Sequence, residues 1–177
     1  MKTIALLIFS MFSLQSVKAQ QVCKDYITDE WSDSRYIVEN ISGDNIVTDT
    51  KTGLMWKQCS EGLSGADCMT GTAAFITWQE ALVLADTQNI SGFAGYFDWR
   101  LPNVEELRSL TAINCYNPSI NEYVFSNTQL HTYWSASPTT IGNTESGEAW
   151  CISFTGGYSF GRSRSGKEYV RLVRSGP

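Results

Sequence analysis

Apolar and polar positions change period along the chain, and each change predicts an element. An apolar run from Ile4 to Leu14 follows Lys2 and precedes Val17-Lys18-Ala19, with small residues where a signal peptidase reads. The run falls short of the roughly 20 residues that span a bilayer. Residues 1–19 are therefore expected to be a secretory signal, residues 20–45 an N-terminal segment and residues 46–177 one folded domain. Val22 precedes Cys23 where a bacterial lipoprotein signal wants a small residue, so no lipid anchor is expected there.

Beyond the signal, short strand-like runs come first. Tyr36-Ile37-Val38, Ile46-Val47-Thr48 and Leu54-Met55-Trp56 read as strands, and the polar Asp49-Thr50-Lys51-Thr52-Gly53 joins the last two as a hairpin. The period then lengthens. Trp78, Ala81, Leu82 and Ala85 fall on one helical face behind Thr77, Glu80 completes a capping box, and Gly92 lies past the end. A second helix is expected from Asn103, with Glu106 three residues on and Val104, Leu107, Leu110 and Ile113 as its stripe. Glu105 and Glu106 point in different directions on such a helix, so they complement its dipole rather than forming a catalytic pair.

Period two returns near the end. Trp150, Ile152 and Phe154 alternate with Ala149, Cys151 and Ser153, the pattern of a half-buried strand. Its expected neighbours are Tyr133-Trp134-Ser135-Ala136-Ser137 and the run from Tyr169 to Arg174, with Gly156-Gly157 turning into a strand at Tyr158-Ser159-Phe160. Strands, two helices and strands again predict an α+β domain: two helices packed on a small antiparallel sheet with long loops, the terminal segments meeting in that sheet.

The chain has 177 residues, 12% of them aromatic and 18% charged, which excludes a disordered or coiled-coil protein and suits a loop-rich domain packed with rings. A net charge of −5 argues against nucleic acid as the main partner. All five cysteines lie beyond the signal, where oxidation is the default, so the protein is expected to be exported to the periplasm, the cell surface or the medium. Cys59 and Cys68 flank a Gly/Ser-rich stretch and are paired; Cys115, after a helix, and Cys151, in a strand, make a second expected bridge, although Cys23 could replace either partner. His131 is the only histidine and no Cys/His pair has ligand spacing, so neither a metal nor another cofactor is expected.

Thr52-Gly53-Leu54-Met55-Trp56, Asp98-Trp99-Arg100-Leu101-Pro102, Glu106-Leu107, Tyr133-Trp134-Ser135, Ala149-Trp150 and Val170-Arg171-Leu172-Val173-Arg174 occur in one order. With that order, from about Val47 to Arg174, the chain resembles the family of the C-terminal domain of the Legionella collagen-like adhesin. The resemblance implies a C-type-lectin-like fold, closest to the formylglycine-generating-enzyme variety, and a role in extracellular recognition. The named adhesin binds sulfated glycans, and some relatives are ligand-binding proteins diversified by retroelements. This chain has no Gly-X-Y collagen repeat. The related formylglycine-generating enzymes work through a cysteine pair near the end of their chain, where this sequence offers Cys151 alone; the calcium-ligand motifs of animal lectins are replaced by Leu101-Pro102-Asn103.

Most single residues have structural explanations. Asp98, Trp99, Arg100 and Pro102 read as a buried ion pair, a core ring and a helix entry; Trp56, Trp78, Trp134 and Trp150 sit at core-facing positions. Asn40-Ile41-Ser42 and Asn89-Ile90-Ser91 match glycosylation acceptors, a pattern short enough for chance. The charge distribution says more. Arg162, Arg164, Lys167, Arg171 and Arg174 face only Glu168 in the last sixteen residues of an otherwise acidic chain. Arg171 and Arg174, within a strand, are expected to pair internally with acids such as Asp98 or Glu106, whereas Arg162, Arg164 and Lys167 belong to a solvated loop.

With no hydrolase elbow, phosphate loop or metal motif, no catalytic residue is expected. The reading is an exported, non-catalytic binding module for an anionic or neutral glycan or another cell-surface ligand. Its expected contacts are Tyr133, Ser135, Ser137, Tyr158, Phe160, Arg162, Arg164 and Lys167, since in lectin-like folds the later half of the chain builds the ligand surface. A structural subunit of a surface assembly, joined covalently through Cys23, and an oxidoreductase relic are the alternative classes.

Overall fold

The computed structural model describes residues 20–140 and 147–176, so the secretory signal expected over residues 1–19 lies outside the described residues. A two-residue strand β1 (Val22–Cys23) precedes a 3-10 turn over Asp33–Arg35, and β2 (Tyr36–Ile41), β3 (Asp44–Asp49) and β4 (Leu54–Lys57) follow as an antiparallel meander. Three short strands, β5 (Leu63–Ser64), β6 (Thr70–Gly71) and β7 (Ile76–Thr77), lead into α1 (Trp78–Ser91). After it come α2 (Val104–Ser109), β8 (Cys115–Tyr116), β9 (Thr132–Thr139), β10 (Glu148–Ser153), β11 (Tyr158–Ser163), β12 (Lys167–Glu168) and β13 (Val173–Ser175).

The architecture is α+β. β13 returns to pair with β4, Val173 opposite Trp56, giving a four-stranded sheet in the order β13-β4-β3-β2 in which early and late segments meet. A second antiparallel sheet runs β11-β10-β9, while β12 pairs with β7, β1 with β8 and β5 with β6. Burial explains why β10 departs from the half-buried pattern. Ala149 and Cys151 pack with Trp134, Trp99 and Val170 in one cluster, while Ile152, with Phe154 just past the strand, joins Trp56, Tyr133 and Phe125 in another, so both faces of this middle strand are covered. Tyr169–Arg174 is only partly strand: Tyr169, Val170 and Leu172 instead lend carbonyls to Trp134 N, Glu61 N and Lys57 N, stitching the chain between sheets.

Both helix starts follow the sequence pattern. The Thr77 and Asn103 side chains accept from the backbone N–H of Glu80 and Glu106, whose carboxylates reach back to complete two capping boxes. α1 buries Ala81 and Ala85, with Trp78 and Leu82 partly buried beside them, and stops at Gly92 (φ +73°), where a Cβ would lie 2.7 Å from the Phe97 ring. α2 is shorter than its stripe. The Ser109 carbonyl is taken by Trp31 Nε1 at 2.8 Å and Arg35 Nη2 at 3.1 Å, the helix ends there, and Ile113 is left exposed.

The segment before β2 is a strap. Gln21 donates to the Pro118 and Ile120 carbonyls, Asn121 donates to the Trp31 carbonyl, and the Arg35 guanidinium makes a two-pronged pair with buried Asp49 at 2.8 and 2.5 Å. Cys23 bonds Cys115 directly across β1–β8, and Cys59 bonds Cys68. The expected Cys115–Cys151 bridge is therefore corrected. Cys115 faces the strap with a Cα separation of 4.0 Å from Cys23, whereas Cys151 is opposite Trp134 in the middle of the second sheet, buried and free. A covalent dimer through Cys23 is excluded by the same bond.

Two further expectations change. Arg100 is not a buried charge: its side chain is 44% exposed and pairs with Glu106 through two bonds of 2.7 Å. Asp98, more exposed still, pairs with Arg174 at 2.7 Å. Trp56, Trp99 and Trp134 are fully buried, but Trp78 and Trp150 are only partly so. Among the described residues no helix is long and apolar enough to cross a membrane.

Candidate ligand surface

The eight expected contact residues separate into three groups. Tyr133 and Ser135 are buried and cannot touch a ligand from outside. The Tyr133 hydroxyl is 2.6 Å from the Ser60 hydroxyl and accepts from Gln129 N, while Ser135 donates to the Trp150 carbonyl. Alternation accounts for the error: β9 is roofed on both sides, so its hydroxyls serve the core rather than a ligand. Ser137 and Arg164 are half-buried braces. Ser137 Oγ accepts from Val104 N at the start of α2, and Arg164 donates to the Glu148 carbonyl and lies 4.5 Å above the Trp78 ring.

Tyr158, Phe160, Arg162 and Lys167 form the third group and reach the surface. The first three occupy alternate positions of β11 and so share one face, spaced along about 13 Å of strand. Tyr158 is 69% exposed, its ring lying over Gly156, where a Cβ would come within 2.6 Å of the ring. It borders a groove of about 340 Å³ with Lys24, Ile113, Tyr116, Asn117 and Thr155. At the other end of the row the Arg162 guanidinium lies 5.2 Å from the Phe160 ring.

Arg162 is held by a residue counted in the sequence only as a charge. Its Nε is 3.2 Å from Oε1 of Glu168, whose side chain is only 4% exposed, and Oε2 of the same carboxylate is 3.1 Å from Nδ1 of His131. Burial raises the Glu168 carboxyl above the ordinary carboxylate range, against the opposing pull of Arg162 and His131. Half-exposed His131 is packed edge-on against Phe75 and Tyr169, at 5.3 and 5.6 Å between ring centres. These groups line up as a strip, with Phe75, Tyr169 and His131 on one side of the buried Glu168, Arg162 and Phe160 on the other, and Tyr158 two residues along the same strand face.

This strip offers flat apolar faces beside oriented donors. His131, Phe75, Tyr169 and Glu168 were missed from sequence because they are far apart in the chain and meet only where β12 pairs with β7 and Tyr169 bridges Tyr133. The available signal was Glu168 itself, a single acid inside a basic run.

Arg171 and the Lys57–Glu61 pair are spent internally. Arg171 is fully buried, donating to the Lys57 and Gln58 carbonyls and to Thr128 Oγ1 and stacking 5.0 Å from Phe125; it pairs with neither Asp98 nor Glu106, and burial lowers its pKa. Lys57 and Glu61 pair at 2.9 Å beside a cleft of about 50 Å³, and Lys57 also donates to Gln88 and lies 3.9 Å from the Phe93 ring, so its contacts are with the protein. The lone cysteine, Cys151, has its thiol pushed up by burial and then by Glu168, which keeps it protonated and inert.

Residues 45–174 match the family model described as the Lcl C-terminal domain. A search of the curated proteins finds no match.

Proposed function

The chain belongs to the Lcl C-terminal domain family, and from that premise and the strip on β11 we propose that it is an exported, non-catalytic binding module for anionic glycans or similarly decorated cell-surface ligands. The observation that carries the proposal is the row Tyr158–Phe160–Arg162, with Tyr158 and Arg162 exposed and Phe160 half-buried, in which a buried carboxylate orients the guanidinium and the rings supply stacking faces. A C-type-lectin-like fold is part of this reading, supported by two helices packed with short antiparallel sheets and long loops. Two disulfides support export to an oxidising compartment.

The oxidoreductase alternative loses its chemistry. It needs two cysteines that exchange electrons, but Cys115 is committed to Cys23, and Cys151 is buried with its thiol held neutral. A glycan array probed with the chain from Gln20 onward, produced by export so that both disulfides form, tests the proposal. Binding concentrated on sulfated or uronate-rich glycans is expected. Uniform absence of binding, with the protein folded, would refute it.

A further inference from the structure

Glu168 is shared between a permanent cation, Arg162, and an ionisable ring, His131. The carboxylate is withdrawn from solvent, while Arg162 and His131, each about 3 Å from it, stand half exposed on the strip. Arg162 meets Glu168 through Nε, and no other hydrogen bond or ion pair engages its guanidinium among the described residues, so its two Nη groups remain for a ligand. An anionic ester seated there would lie beside His131 as well.

We propose that Arg162 and His131 form a proton-linked anion grip, holding the sulfate, carboxylate or phosphate groups of a ligand more tightly in mild acid than at neutral pH. The inference rests on the binding reading above and adds its regulation. With the imidazole neutral, Arg162 and Glu168 cancel. When the Glu168–His131 pair takes up one proton, the three side chains sum to +1, whichever of the two carries it. Burial favours this uptake on the Glu168 side.

The groups around the pair do not offset the added charge. β11 contributes Arg162, β10 contributes the neutral Cys151 thiol, and Thr132, which lowers the Glu168 carboxyl, carries no charge. Tyr169 and Phe75 present ring edges to His131, and Lys167, next to Glu168 in the chain, acts on Glu80.

Calorimetric binding of dextran sulfate from pH 8 to pH 5 at fixed salt, with uncharged dextran as control, tests this. The affinity of the wild type should rise about fivefold more than that of the double variant His131→Gln/Glu168→Gln, which has no group at the grip to take up the proton; about fivefold is the scale of one added charge-assisted contact at a wet surface. Thermal unfolding of the variant at each pH confirms that it is folded. Since His131 is the only histidine, its ring signals can be followed by NMR, and dextran sulfate should move their titration midpoint upward by linkage. Binding with the same pH response in both proteins and an unmoved midpoint would overturn the inference alone. No binding of dextran sulfate at any pH would overturn the anionic-ligand reading and the inference with it.

Discussion

Cys23 and Cys115 face each other across the β1–β8 pair, and their bond ties the strap before β2 to the chain that follows α2. It closes a loop across 92 residues of sequence, for which the chain-entropy model assigns about 4.6 kcal/mol of stability. Cys23→Ser should therefore lower the unfolding free energy in urea by roughly that amount. Peptide mapping without reduction should recover Cys23–Cys115 and Cys59–Cys68, with Cys151 alkylated only after unfolding. A Cys115–Cys151 peptide would contradict the fold.

Two arginines that look alike in sequence should behave differently. Arg35→Ala leaves the Asp49 carboxylate buried without its partner and is expected to cost about 3–5 kcal/mol. Arg100→Ala removes a pair open to water and should cost about 1 kcal/mol or less. Denaturant midpoints of the two variants measure the difference, and equal losses would contradict the burial pattern.

The acid limb of stability should depend on the same pair. Burial alone would raise the Asp49 carboxyl, but the Arg35 hydrogen bonds override it and hold it below the usual range; Arg100 does the same for Glu106. A depressed carboxyl stabilises above its unfolded pKa, so this contribution is lost as pH falls below about 4. Glu168 and Glu61 have the opposite sign. Burial raises both, so their share of stability declines as pH rises from the ordinary carboxylate range through their folded values. Unfolding measured from pH 2 to pH 8 should show a steep acid limb that Arg35→Ala flattens, and a shallower decline above pH 4 that Glu168→Gln reduces.

Local signals were legible where neighbours in sequence decide the outcome. The boxes at Thr77/Glu80 and Asn103/Glu106, the hairpin between Ile46 and Trp56, and the turn at Gly156-Gly157 all form as their patterns predict. The errors are tertiary. α2 stops where Trp31 and Arg35 capture the Ser109 carbonyl, and Cys115 pairs with the strap rather than with β10. Tyr133 and Ser135 turn inward because β9 is covered on both sides. At the candidate site, Tyr158 and Phe160 were legible as a strand, whereas Arg162, expected in a solvated loop, continues β11, and His131, Phe75 and Tyr169 join it only through folding.

Dextran sulfate binding by Arg162→Ala, Tyr158→Ala and wild type over a range of salt tests most directly whether the exposed face of β11 meets the ligand. The arginine variant should bind more weakly and with a flatter salt dependence, because exposed charge is screened within about 10 Å at 0.1 M salt. The tyrosine variant should bind more weakly at every salt concentration, as expected for the loss of an apolar face. If both variants remain folded and bind dextran sulfate with the affinity and salt response of the wild type, β11 is not the ligand surface.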